Sequence, residues 1–167
     1  MLRPEEAREQ FARARATGLV TLCHKAERRH ALPPALLLAV ASRETNCRDV
    51  VGDFGHGRGV FQIDDRFHHD WLAEHGAAAA GKTPPVGAAA ELAAALLVEA
   101  IAVARRHELA GDNAAKFAAS AYNAGLGGAL AGLRRGDSDL ETTRHDYGAD
   151  VVARMHAFRH LEVGEGS

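Results

Sequence analysis

The sequence predicts a mainly α fold, a helical bundle with a very small β-hairpin or sheet set beside it. Three observations carry this. Alanine is abundant and β-branched residues are sparse, which favours helix over strand. Apolar residues recur at helical spacing through most of the 167-residue chain. One short stretch, Asn46 to Gly59, concentrates Gly52, Gly55, Gly57 and Gly59 and breaks that periodicity.

Taken in order, Pro4 to Arg15 contains helix formers but few apolar anchors and is expected to be a peripheral helix. Leu19 to Arg29 places Leu19, Leu22, Cys23 and Ala26 on one helical face. Pro33 and Pro34 suit a helix start, and Leu36 to Glu44 follows with an apolar face. The glycine-rich stretch should form turns or a hairpin. Val60, Gln62 and Asp64 alternate with Phe61 and Ile63 in a strand pattern. A short helix is expected over Phe67 to His75, a loop over Ala77 to Pro85, and a long, mostly buried helix from Pro85 to Leu109, stopped by Gly111. Asn113 to Tyr122 reads as a helix followed by a turn at Gly125-Leu126-Gly127-Gly128. A last helix runs from about Asp146 to Leu161, and the glycine-rich end should fray. No repeat or interdomain linker interrupts residues 1–167, so one domain is expected, with residues 1–30 as peripheral helices and 31–161 as its core.

Composition excludes several classes. A formal charge of -2 is too acidic for a sequence-independent nucleic-acid binder, which needs a basic excess to neutralise phosphates. The N-terminus is charged and lacks the apolar core of a signal peptide. No run approaches the roughly 18 apolar residues of a membrane span; even the alanine-rich stretch Val86 to Val103 contains Glu91 and Glu99. The two cysteines, Cys23 and Cys47, cannot build a four-cysteine zinc site; they either form one disulfide or serve as small buried hydrophobes.

Glu44 is the residue with the most chemical promise. Leu37, Val40, Ala41 and Glu44 stand at i, i+3, i+4 and i+7, so the carboxyl continues an apolar stripe. A carboxyl there loses hydration and its pKa rises, which suits a general acid. Pairing with Arg43 or Arg48 at a helix end is the structural alternative. The loop beyond, Gly52 to Asp64, holds Asp53 and Asp64 among glycines that let a ligand approach the backbone. An acid facing carboxylates on a short sheet is the arrangement with which inverting glycosidases protonate a leaving group and activate water. Asp53 could equally cap a turn and Asp64 the next helix.

The same residues match a known family. Ser42-Arg43-Glu44 with Gly52-Asp53-Phe54-Gly55-His56-Gly57-Arg58-Gly59-Val60-Phe61-Gln62-Ile63-Asp64 resembles the acid and loop of the goose-type lysozymes. Ser120-Ala121-Tyr122-Asn123-Ala124-Gly125 is similar to a substrate-lining motif that this family shares with the lytic transglycosylases. The segment from Thr142 through Tyr147 to Arg154 resembles the goose-type pattern specifically. The blocks occur in family order from about Leu36 to Arg154. The resemblance implies a lysozyme-like α+β fold and cleavage of the β-1,4 bond between N-acetylmuramic acid and N-acetylglucosamine in bacterial peptidoglycan or chito-oligosaccharides. It implies Glu44 as the acid and Asp53 and Asp64 as holders of water, with Gln62, Tyr122, Asn123 and Tyr147 lining the sugar groove. It implies action in the cell wall, periplasm or extracellular space by a monomer that needs no cofactor or metal. A lytic transglycosylase giving anhydro products, or a non-catalytic wall-binding domain, are the alternatives. The chain departs from the family in three respects. It cannot make the two N-terminal disulfides of vertebrate members, its first 30 residues show no match, and Thr45-Asn46 replaces the usual Ser-His after the acid.

Three other patterns are set aside. Gly76 to Thr83 satisfies a phosphate-loop spacing, but no buried strand precedes it and Pro84-Pro85 follows. His156 and His160 stand one turn apart without a third ligand, and His68-His69-Asp70 is no better. Ser42 and Ser120 lack a nucleophile-elbow context.

Overall fold

In the computed structural model, which describes residues 2–164, seven α-helices accompany a minimal three-stranded sheet. They are α1 (Pro4–Ala16), α2 (Leu19–His30), α3 (Leu36–Thr45), α4 (Asp65–Glu74), α5 (Val86–Arg106), α6 (Gly111–Arg134) and α7 (Tyr147–Gly164). The strands β1 (Val51–Gly52), β2 (Gly57–Arg58) and β3 (Ile63–Asp64) lie between α3 and α4 and pair antiparallel in the order β1-β2-β3. The mainly α, lysozyme-like α+β class read from the sequence is therefore the class observed.

Helix α3 is the centre of the molecule. Every residue from Leu36 to Ser42 is buried, so its backbone runs through the core with no solvent face until the last turn. Its N-terminus lacks a capping side chain of its own. Instead the carboxylate of Glu27, from α2, accepts bonds from the backbone amides of Ala35 (3.1 Å) and Leu37 (2.9 Å), satisfying donors that a helix start leaves orphaned. At the other end Asn46 takes the left-handed conformation (φ 53°) that commonly ends a helix. Gln10 and Arg13 of α1 bind the Asn46 side chain and carbonyl at 3.1 and 2.8 Å.

That contact gives α1 more weight than its sparse apolar residues imply. Phe11 is 3% exposed and stacks on Phe158 of α7, with ring centroids 6.1 Å apart. Burying such a ring is worth roughly 1.5–3 kcal/mol. Gln10 is also buried and accepts a bond from the Ser42 hydroxyl at 2.6 Å.

Three sequence expectations need correction, and one left open is decided. The alternation over residues 60–64 is not a continuous strand: Val60 and Phe61 are both buried, Gln62 has φ 48°, and only Ile63–Asp64 pairs. The chain turns at this point, with the Gln62 amide bonding back to Gly59. The turn expected at Gly125–Gly128 is a single-residue break. Gly125 (φ 73°, ψ 161°) interrupts α6, and the helix resumes to Arg134. Helix α5 has the length and the mean hydropathy, 2.0, of a membrane span despite Glu91 and Glu99. It nonetheless packs against α2 and α6 with an alanine-rich buried face, as a core helix does. Cys23 and Cys47 are both buried and unbonded, so of the two roles open to them they take that of small apolar fillers. The expectation of a frayed end over residues 165–167 lies outside the described residues.

Candidate functional site

Glu44 occupies the last turn of α3, half-buried, where the apolar stripe of the helix ends. The Tyr147 hydroxyl donates to its Oε1. Burial pushes the Glu44 carboxyl above its ordinary value; the bond from Tyr147 and the charge of Arg43 pull the other way and are outweighed. The carboxyl is thus biased towards keeping its proton, as periodicity suggested, and Tyr147 is the group that tempers the bias.

Tyr147 does not lie on a groove wall. It is 3% exposed, with its ring beneath the Arg43 guanidinium at 5.3 Å. It is bonded to Glu44 and, like Glu44, is not among the residues that line the cavity, whereas the resemblance implied a sugar-lining position for it. Arg43 in turn ties α3 to α7, reaching Asp146 at 3.1 Å and Asp150 at 3.2 Å. Arg154 completes the seam by pairing with Asp150 at 2.7 Å and donating to the Ser42 hydroxyl at 2.7 Å. The Ser42-Arg43-Glu44 block and the Tyr147–Arg154 block are therefore the two sides of one interface.

The element that aims Tyr147 escaped the sequence reading. Asp139 is 1% exposed, and its carboxylate accepts from the amides of Gly148 (2.7 Å) and Ala149 (2.9 Å) at the start of α7. It also accepts from the Ser120 hydroxyl at 2.9 Å. Ser120 thus serves as a support for Asp139, not as a groove residue or a nucleophile. Position 148 must be glycine, because a Cβ there would sit 2.5 Å from both the Lys116 carbonyl and the Ser120 hydroxyl. Asp137-Ser138-Asp139 just ahead of a helix was the available signal, an acidic capping pattern.

A cavity of about 500 Å³ opens between β3, α4, α5 and the break in α6. Gln62, Asp64, Tyr122 and Asn123 line it, together with Phe67 and Glu99, which the sequence did not single out. The Tyr122 hydroxyl donates to the Phe61 carbonyl at 2.8 Å, and Tyr122 is close enough to Glu44 for the two to repel when charged. Asn123 accepts from the Thr143 amide at 2.9 Å. The Gln62 amide group donates to the carbonyls of Val50 (3.1 Å) and Gly59 (2.8 Å) across the sheet. Gly52 and Gly57 leave room for it, since a Cβ on either would come within 2.3 Å of its Oε1.

The two aspartates come together, though not as free carboxylates. Arg66, at the start of α4, binds both oxygens of Asp64 and also Oδ2 of Asp53 at 2.6 Å. Asp64 additionally caps α4 through the Arg66 amide at 2.8 Å, so the helix-cap reading of Asp64 holds geometrically alongside its place on the cavity wall. Hydrogen bonding from Arg66 holds the Asp64 carboxyl below its ordinary value. Asp53 sits in the turn between β1 and β2 with φ 46° and its side chain half-exposed; it is not part of the cavity lining.

Among the described residues no cluster of three or more His, Cys, Asp or Glu is arranged to hold a metal. His156 pairs with Asp112, His24 with Glu162 and His30 with Glu91. The Gly76–Thr83 segment is a loop after α4 whose Ala79 and Lys82 carbonyls accept from Arg58, unlike a phosphate cradle.

No protein-family model matches the chain. It is 28% identical to lysozyme g of Gallus gallus over 137 residues, a stretch covering 77% of this chain and 57% of that protein. The chain thus spans little more than half the length of the curated relative it matches, and the likeness supports a relationship to lysozyme g.

Proposed function

We propose that the chain is a peptidoglycan-cleaving muramidase that hydrolyses the β-1,4 bond between N-acetylmuramic acid and N-acetylglucosamine. The observation that carries this reading is Glu44 itself, a carboxyl biased towards its protonated form by burial and close to Tyr122, which lines the cavity, while Asp64 on the cavity wall is held towards its ionised form by Arg66. Two carboxyl groups with pKa values pushed apart are the mark of an acid and base pair. The likeness to lysozyme g agrees with it.

In this reading the glycan lies in the cavity, its rings against Tyr122 and Phe67 and its polar groups against Asn123 and Gln62. Glu44 delivers its proton to the bridging oxygen as the C1–O bond breaks. A water molecule adds to C1 from the opposite face and gives its proton to Asp64. Products are inverted at C1 and carry reducing ends. The action takes place wherever peptidoglycan is exposed, in the wall, periplasm or extracellular space. Residues 31–161 act as the catalytic core, and α1 supports the end of α3 through Gln10 and Arg13. We infer a monomer that works without a cofactor.

The lytic transglycosylase reading requires no water-holding carboxylate, so the ordered Asp53–Arg66–Asp64 group favours hydrolysis. The test is release of soluble muropeptides from purified peptidoglycan. Wild type should produce reducing-end sugars and Glu44→Gln none. Anhydro ends would move the chain to the transglycosylases, and wall binding without any sugar release would make it a binding domain.

A further inference from the structure

We propose that Arg66 is a positioning residue that holds the Asp64 carboxylate in one orientation at the cavity wall, with Asp53 as its second anchor. The proposal rests on the muramidase reading for its functional consequence, but its geometry stands separately.

The grip is unusually complete. Arg66 Nε lies 2.9 Å from Asp64 Oδ1 and 3.1 Å from Oδ2, Nη2 lies 2.6 Å from Oδ2, and the backbone amide adds 2.8 Å to Oδ1. A planar guanidinium set against a carboxylate through parallel donors fixes orientation as well as charge. The same Nη2 reaches Asp53 Oδ2 at 2.6 Å. Arg66 therefore joins the β1–β2 turn to the first turn of α4 from outside the cavity, while Asp64 alone of the three faces into it.

This arrangement separates the roles of the two aspartates. Among the described residues Arg66 is the partner that the Asp53 carboxylate engages, so Asp53 acts on Asp64 through Arg66. Asp53 and its neighbour Phe54 both have positive φ, 46° and 53°, a conformation that side chains disfavour. The ion pair helps to hold that turn down. In the hydrolytic step the water oxygen bonds to C1, its proton passes to Asp64, the C1–O4 bond breaks, and O4 takes the proton of Glu44. Asp64 can accept that proton in line only if its carboxylate does not swing, and positional losses of this kind cost on the order of a hundredfold.

The charged groups facing Asp64 bear on its titration. Arg66 is the dominant one; Asp65 opposes it weakly and is itself neutralised by Arg58 and His56. His68, Glu99 and Tyr122 are the other ionisable residues in the lining of the cavity.

The test compares wild type, Arg66→Gln, Arg66→Lys, Asp53→Asn and the Arg66→Gln/Asp53→Asn double variant. Steady-state kinetics against pH on a soluble chito-oligosaccharide are recorded beside carboxyl 13C titration of Asp64. Arg66→Gln should lower kcat by about tenfold or more with little change in KM, and should move the acid limb of the profile upward, because the guanidinium that favours the carboxylate is gone. Arg66→Lys should recover part of kcat, which a mere loss of folding would not allow. Asp53→Asn should cost less than Arg66→Gln, and the double variant no more than Arg66→Gln alone, because Asp53 works through Arg66. An unmoved acid limb, or additive losses in the double variant, would overturn the proposal. If wild type releases no sugar, the muramidase reading fails. The 13C titration still decides the grip: an upward move of Asp64 in Arg66→Gln supports it, and no move refutes it.

Discussion

Replacing Tyr147 by Phe isolates one hydrogen bond at the centre of the site. The ring stays, with its burial and its contact to Arg43; only the hydroxyl that donates to Glu44 is lost. A hydrogen bond to a charged acceptor is worth roughly 1.5–3 kcal/mol and one to a neutral acceptor roughly 0.5–1.5 kcal/mol. The hydroxyl therefore favours the carboxylate form of Glu44 by about 1–1.5 kcal/mol, or about one pKa unit. Its removal raises the Glu44 pKa further in the direction that burial already sets. A general acid must be protonated to act, so the rate falls as pH climbs through its pKa. Tyr147→Phe should shift that alkaline limb upward by about one unit. The assay is the pH profile of kcat/KM on chito-oligosaccharide, with carboxyl 13C titration of Glu44 as a check independent of turnover. A limb that stays in place, or moves down, refutes the view that burial against the Tyr147 bond sets the state of Glu44.

Other perturbations probe the supports of the site. Asp139→Ala leaves the amides of Gly148 and Ala149 and the Ser120 hydroxyl without their acceptor, so a loss of roughly 3–5 kcal/mol is expected by chemical denaturation. The melting temperature should fall by about 10 °C or more, and Asp139→Asn, which keeps one acceptor, should cost less. Glu27 gives a pH signature. Burial raises its carboxyl from 4.5 to about 7, so the folded protein keeps a proton that the unfolded chain has released. The stabilisation is complete below about pH 4.5 and is lost as pH rises towards 7, a change of about 3 kcal/mol. Denaturation of wild type and Glu27→Gln from pH 4 to 8 should show the difference between them shrinking over that window in favour of the variant; parallel curves would contradict the assignment.

The parts of this fold that were legible in the sequence are those governed by local chemistry. Helical periodicity identified α2, α3 and α5 because their buried faces are apolar and regularly spaced. The glycines between residues 52 and 59 announced the small sheet, because glycine's freedom and lack of a Cβ are what Gln62 needs above Gly52 and Gly57. Glu44 stood out because a carboxyl on an apolar stripe is anomalous in itself. What stayed hidden depends on partners distant in sequence. Asp137-Ser138-Asp139 has the look of an acidic cap, but nothing local indicates that the Asp139 carboxylate reaches amides nine and ten residues on while being held by Ser120. Gln10 on a polar-looking helix gives no hint that it bonds to Ser42. Arg66 lies just ahead of the helix expected from Phe67, and nothing local marks it until the turn carrying Asp53 folds against it. The residue alternation over 60–64 misled because Phe61 is buried by the body of the protein and not by a sheet face.

The central claim is that Glu44 is the acid of a hydrolytic cleavage, and product analysis in 18O-labelled water tests it most directly. Wild type acting on purified peptidoglycan should yield muramic acid reducing ends that each carry one 18O atom, and Glu44→Gln should yield none. Anhydro ends without label, or unchanged product from Glu44→Gln, would contradict the account.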